Sequence, residues 1–273
     1  MIHLAPGHVI GDEPIIAYQN RAHLNALDSG TAGKTGWPLS DATNGLTYGG
    51  WQALTAGLSE AEAIYDFGAP VAVDYIGIAA HTLHTAGCSV ELFLSTDGVT
   101  WGTELIEIVP ADDSPILGLF DSATYRYARV LVTYPGADPD PGPILGVIKI
   151  GARLTVAQRI YGGHSPIDLS RATAVRPVLS ETGHFLGREI KRKGYRAAYT
   201  FRHLKADWYR SEFDPFVEHA RSGAFFIAWR PDTFPESVAY GWTTDDIAPT
   251  NMGIRDLMEV SFTVEGLGAE AVT

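Results

Sequence analysis

The 273-residue chain has a single cysteine, Cys88, which rules out an internal disulfide and any cysteine-based metal site. It has no apolar run near the roughly 18 residues that a membrane-spanning helix needs. The opening "MIHLAPGHVIGDEP" lacks a basic stretch followed by an apolar one, so no signal peptide is expected and folding in a cytoplasm is the simplest reading. Catalytic signatures are also missing. There is no G-x-S-x-G or H-E-x-x-H, and the acidic pairs Asp112/Asp113 and Asp138/Asp140 sit in Gly- and Pro-rich loops without an accompanying histidine or serine motif. The expectation is a protein that is not an enzyme.

What is present is globular. Apolar residues make up 45%, charged residues 19%, and 29 Gly and 16 Pro are scattered in the manner of short strands joined by tight turns. The net charge of −12 is uneven: residues 1–151 hold 5 Lys/Arg against 17 Asp/Glu, and residues 152–273 hold 15 against 15. Two units are expected, 1–153 and 154–273. The acidic first unit is a poor surface for nucleic acid, which needs a positive field.

"DSGTAGKTGWP" (28–38) imitates a phosphate-binding loop through Gly33, Lys34 and Thr35. A working loop needs a first glycine where Asp28 stands, a buried apolar strand before it, and a helix directly after Lys-Thr. "AYQNRAHLNAL" is too polar for that strand, and Gly36, Trp37 and Pro38 begin no helix. No nucleotide is expected. The stretch reads as a surface loop.

Strands dominate the first half. "CSVELFLSTDGVTWGTELIEIV" (88–109) alternates around Asp97-Gly98, a hairpin signal. "AIYDFGAPVAVDYIGIAAH" (63–81), "YRYARVLVTY" (125–134) and "ILGVIKIGARL" (144–154) supply further strands, and "PGADPDPGP" (135–143) reads as a loop. This pattern predicts an antiparallel sandwich or barrel. The ordered motifs Asp41 to Trp51, Asp66-Phe67-Gly68 and Ser95 to Trp101 resemble the discoidin, or coagulation factor 5/8 type C, domain over about residues 13–152. The resemblance implies a galactose-binding-like jelly roll with ligand loops at one end. The terminal cysteines of many extracellular members are absent.

In the second half, "GREIKRKGYRAAYTFRHL" (187–204) is a basic alternating pair of strands, with Tyr195, Ala197, Tyr199 and Phe201 on its apolar face. "ADWYRSEFDPFVEHARSG" (206–223) is the best helical stretch, with Asp214 as cap, Pro215 at the first position and Gly223 at the end; the Asp-Pro step leaves open one helix or two. Strands follow at "AFFIAWRP", "AYGW" and "LMEVSFTVEG". A small β-barrel with one or two short helices is predicted. The order of elements, with Trp229-Arg230-Pro231 ending a strand, is similar to the minor tail and distal tail proteins of long-tailed bacteriophages. That resemblance implies a virion tail protein made in the host bacterial cytoplasm, a homo-oligomeric ring (a hexamer by the same resemblance), and other tail proteins as partners.

Candidate sites follow from residue chemistry. Sugar sites combine an aromatic ring with carboxylate and amide groups. Trp37, Asp41, Asn44 and Tyr48 supply these on one loop, and His81 and His84 stand where a strand opens into a rim loop. Trp51 flanks the same polar residues but reads first as core, and His81 reads also as a hydrogen-bonded loop-end residue. A host cell-surface glycan is the expected ligand. His81, His84 and Cys88 lack zinc spacing, so no metal or cofactor is expected, and no calcium ligand set shows at Asp41. Arg188, Lys191, Arg192 and Arg202 read as a solvated strand face or a subunit contact, and Trp229 and Phe234 as core or interface. A free lectin-like module, or an accessory part of a carbohydrate-active enzyme, is the alternative to the tail protein.

Overall fold

The computed structural model describes all residues except 55–56, 137–141, 161, 254 and 268–273. Asp138 and Asp140 therefore lie outside the described residues. The chain is mainly β, as its turn-rich alternating sequence predicts, and its strands fall into two large sheets and a small ribbon.

The first sheet holds β1 (Ile2–Leu4), β3 (Leu27–Gly30), β4 (Glu60–His81), β5 (Ser89–Ser95), β6 (Ile106–Ile108), β7 (Ile116–Thr133) and β8 (Leu145–Gly151), with β2 (Ile15–Ala17) passing elsewhere. β4 and β7 are long enough to serve both layers of a sandwich. They pair antiparallel from Glu60–Thr133 to Ile78–Ile116, with register shifts between Asp66 and Val71 and between Val73 and Tyr75. At the first shift Gly68 adopts a left-handed φ of 79°, and Asp66 holds the bend by accepting from Gly68 N–H at 2.8 Å and pairing bidentately with Arg126. The far portion of β4 then pairs with β8. Pairing is antiparallel throughout except for β1, which runs parallel to β7. The sandwich core is mostly aliphatic, including Ile76, Ile78, Val90, Leu92, Ile108, Val130, Ile148 and Ile150, with Trp51, Tyr65 and Phe120 as its large rings.

The second sheet runs β12 (Gly194–Lys205), β16 (Leu257–Leu267), β14 (Val238–Thr243), β13 (Phe225–Ala228), β2 and β9 (Leu154–Thr155), with β15 (Pro249–Asn251) on β16. Together with the helical stretch it forms a curled half-barrel. Alternation in β12 buries Tyr195, Ala197, Tyr199 and Phe201, as predicted. The helical stretch is continuous from Ala206 to Ala220 but widens to a π-turn over Tyr209–Phe213. Pro215 has no N–H to return to the carbonyl four residues back, and the wider turn accommodates that loss without splitting the helix. Its core is aromatic: Phe216 meets Phe213, Phe225 and Tyr18 edge-on at centroid distances of 4.8–5.6 Å.

The division at residue 153/154 is crossed by one strand. Ile15–Ala17 hydrogen-bonds to Phe226–Ala228 and to Leu154–Thr155, so the N-terminal segment is an inner strand of the second sheet. All three of its residues are buried, which a segment confined to the sandwich rim could not achieve. A third core lies between the sheets, where Tyr75, Leu117, Leu119 and Val147 meet Ile15, Phe226, Val238 and Tyr240. Gly77 is small for this reason: a Cβ there would approach the Phe226 ring to 2.4 Å. Asp12 fastens the same junction, accepting from Arg230 at 2.6 Å and from Thr233 N–H at 2.9 Å.

The remaining strands, β10 (Ala174–Leu179) and β11 (Phe185–Arg192), make a two-stranded ribbon of their own. The basic stretch 187–204 forms two strands, as predicted, but they do not pair with each other. β11 pairs backward with β10, and β12 enters the half-barrel.

Candidate functional site

Four of the six predicted sugar-contact residues lie on the loop from Thr31 to Leu54, and its own hydrogen bonds make that loop firm. Lys34 N–H donates to Gln52 O at 2.8 Å, Leu54 N–H to Ala32 O at 2.7 Å, and Gln52 N–H to Trp37 O at 3.3 Å. Trp51 and Leu145 exchange both backbone bonds, at 2.8 and 2.9 Å. Trp51 itself is buried in the sandwich core and donates its indole N–H to Thr31 O, which settles its role as structural. Gly33 is required by close packing, since a Cβ would fall 2.0 Å from Trp37 O. The helix that a phosphate loop would need is absent here; a 3-10 turn, Leu39–Thr43, follows instead.

On this clamped loop Tyr48 stands 92% exposed, Asn44 is exposed, and Trp37 and Asp41 are half-buried. The Asn44 carboxamide oxygen accepts from Leu46 N–H at 2.7 Å, which leaves its amino group as a donor. An aromatic ring, a carboxylate and an amide thus share one loop whose ends are hydrogen-bonded. Rings offer a face to apolar C–H groups of a sugar, and the polar groups can take hydroxyls.

The histidines do not join them. His81 is fully buried; one ring nitrogen contacts Ser114 O at 2.8 Å and the other accepts from Leu83 N–H. Burial lowers its pKa to about 4, so it is neutral and structural, a correction to its proposed ligand contact. It ends β4, directly after Ala80, whose left-handed φ of 52° bends the strand there. His84 is exposed on the next loop, with Nδ1 3.1 Å from Pro110 O, and borders a separate depression with Cys88, Glu107 and Tyr134. Among the described residues no group of three His, Cys, Asp or Glu is placed to hold a metal ion.

The predicted interface residues divide in a similar way. Arg188 and Lys191 lie exposed on the β10–β11 ribbon, and Arg192 ends β11. Arg202 instead faces Glu259 across the sheet at 3.1 Å. Trp229 is half-buried, donates to Ser237 Oγ at 3.1 Å and stacks on Phe234, with the Arg230 guanidinium over both rings. Asp12 holds that guanidinium, and Trp229 packs against the aromatic core of the second sheet.

Sequence reasoning passed over Lys149. It is a lone cation in the fully buried strand "LGVIKIG", and that interruption of an apolar run was the available signal.

No family model matches the chain, and no curated protein sequence does. Solved structures do resemble it. Chitosan-binding module 1 of a chitosanase/glucanase from Paenibacillus sp. IK-5 is 19% identical, with 48% of this chain and 98% of the module covered and a TM-score of 0.40. Chitosan-binding module 2 of the same enzyme, in complex with chitotriose, is 17% identical, with 48% and 99% covered and a TM-score of 0.40. A Clostridium perfringens module in complex with GalNAc-β-1,3-galactose is 12% identical, with 48% and 99% covered and a TM-score of 0.39. The likeness is one of fold over about half the chain. None of the three is a tail protein.

Proposed function

We propose that this protein is a non-catalytic glycan-binding protein whose loop 31–54 presents Tyr48 and Trp37 to sugar rings and Asp41 and Asn44 to hydroxyl groups. The observation that carries the reading is Tyr48, almost wholly exposed on a loop whose neighbours are hydrogen-bonded into the sandwich. The ends of that loop are pinned by the Lys34–Gln52, Leu54–Ala32 and Trp51–Leu145 bonds, so less backbone entropy is lost when a ligand arrives. A glycan array followed by calorimetry tests this, with chitotriose and GalNAc-β-1,3-galactose among the probes because structurally similar modules were crystallised with them. Binding that disappears in both Tyr48→Ala and Trp37→Ala, with unchanged thermal midpoints, supports the reading. An array without hits, or binding unaffected by either change, sinks it.

A second reading, assembly into a ring at a bacteriophage tail tip, draws on a different observation. The β10–β11 ribbon exposes Val175, Val178, Leu179, Phe185, Leu186 and Ile190 beside Arg188 and Lys191. A lone two-stranded ribbon is marginal in water, and one carrying this much apolar surface fits a neighbouring subunit. Several weak sugar sites displayed by one ring would act together. Solution mass at rising concentration, with antibody labelling of virions, separates the two readings. A monomer at every concentration, absent from any particle, leaves the free lectin-like module.

A further inference from the structure

A cavity of about 540 Å³ opens between the two sheets, walled by the loop Thr43–Thr47, by Asn20 and His23, by the end of the helical stretch at His219–Ala224, and by Tyr240 and Trp242 of β14. Lys149 lines it from β8. It is 3% exposed, in a strand whose other residues are all buried as well. Its ammonium donates to Ala224 O and lies 5.4 Å over the Tyr240 ring. Among the described residues no carboxylate pairs with it, and none lines the cavity.

That arrangement is unusual in energetic terms. A buried charge is costly unless paired, and an apolar side chain of similar length would fill this place in β8 without that cost. The carbonyls near the helix end are meanwhile answered by the protein itself. Ala220 O accepts from the Thr243 hydroxyl, His219 O from Ser222 and Gly223 N–H, and Ala224 O from Lys149, with the His219 ring nitrogen 3.2 Å away. What remains unsatisfied is donor capacity. An ammonium has three N–H bonds, and only one is used here. The Asn20 carboxamide oxygen is taken by Ala22 N–H and Ile150 N–H, so its amino group is the free end. Arg221 stands at the rim, paired with Glu218 at 3.3 Å, and Trp242 adds an aromatic face.

We propose that this cavity binds a small carboxylate of about the size of a hexuronic acid, with the carboxylate seated on the Lys149 ammonium and the body of the ligand against Trp242. The volume falls in the range of small-molecule sites, and a buried ammonium with unused N–H bonds and no carboxylate in the lining favours an anion over a neutral sugar. The site shares the wall Thr43–Thr47, Asn44 included, with the glycan-binding loop but uses neither Trp37 nor Tyr48, so Trp37→Ala and Tyr48→Ala should leave galacturonate binding unchanged.

The test is titration of the full chain with galacturonate, followed by tryptophan fluorescence and calorimetry, with galactose, acetate and inorganic phosphate as comparison probes. Saturable galacturonate binding at about pH 7, absent with galactose, is expected. Lys149→Met should weaken it by about thirtyfold or more, as removal of one partner from a buried charge pair does. That variant removes a buried charge without emptying the space, so it should fold; a thermal melt verifies this. Wild-type protein supplies an independent reading. Burial lowers the Lys149 ammonium to about 8, so affinity should fall between about pH 7 and pH 9.5. The other titratable or charged groups facing it are His23, His219, Arg221 and Tyr240. Burial lowers His219 and raises Tyr240, so both stay neutral across that window. Acetate binding as well as galacturonate would support the carboxylate contact alone. Equal binding of galactose, preference for phosphate, or undiminished binding in Lys149→Met would overturn the proposal.

Discussion

β8 and the β10–β11 ribbon are built from similar material and lie in opposite surroundings. "LGVIKIG" is buried along its whole length, because the sandwich core covers one face and the second sheet covers the other. "AVRPVL" and "FLGREIKR" carry Val, Leu, Phe and Ile as well, yet Phe185 is 67% exposed and Ile190 46%. The contrast teaches that apolar content makes a strand eligible for burial and that the number of layers stacked on it decides the outcome. Where three layers stack, even a lysine is carried inside. Where a ribbon leaves the body of the fold, apolar side chains stay in water and become surface for something else.

The comparison can be broken most severely at Phe226, the ring that fills the space between the sheets. It is fully buried and packs on Tyr240 at a centroid distance of 4.6 Å. Phe226→Ala should cost about 3–5 kcal/mol in denaturant unfolding, because cavity and transfer losses add. A loss below about 1 kcal/mol would mean that the layers are not packed as described. Approaching the same contact from the opposite side, Gly77→Ala puts a methyl group against that ring and should cost about 1–3 kcal/mol by overpacking.

Asp12→Asn comes next. It removes the carboxylate that accepts from Arg230 and Thr233 across the junction, and a loss of about 1–3 kcal/mol is expected. The Arg230 hydrogen bond is the main cause that holds the Asp12 pKa at about 2, below its ordinary 3.8. A depressed carboxylate stabilises the fold above its unfolded pKa, and the contribution disappears as pH falls through the folded value. The asparagine variant should therefore lose its disadvantage between about pH 4 and pH 2. His81 adds a second acid sensitivity. Its folded pKa is about 4 against an ordinary 6.5, so the unfolded chain takes up a proton first. Stability is whole above about pH 6.5 and falls as pH drops toward 4.

Much of this was legible in the chain. The Asp97-Gly98 hairpin, the apolar face of β12 and the helical stretch all follow from periodicity and turn residues, which are local. The pairing of β11 with β10 was missed although it is local, a hairpin closed at Ser180–His184. Which of its two readings His81 follows and the seat of Ile15–Ala17 in the second sheet were not legible. Each depends on a partner remote in sequence: Ser114 for the ring of His81, Phe226 for the strand. Of the candidate site, the loop holding Trp37, Asp41, Asn44 and Tyr48 could be read from residue types. The cavity at Lys149 could not, because its walls come from five separate segments.

The smallest expected effect is the one that sharpens the contrast between β8 and the ribbon. Phe185→Ala removes a large apolar side chain, as Phe226→Ala does, but from a position in water. Monomer stability should move by no more than about 0.5 kcal/mol, the usual range for a surface change. If the ribbon seats on a neighbouring copy, the same substitution should weaken self-association measured by sedimentation, since it removes buried apolar area only from the assembled form. A change in unfolding stability above about 1 kcal/mol at concentrations where the protein is monomeric would show that Phe185 is covered within its own chain. The ribbon would then be part of the folded body, and its basic residues would lose their claim to a partner.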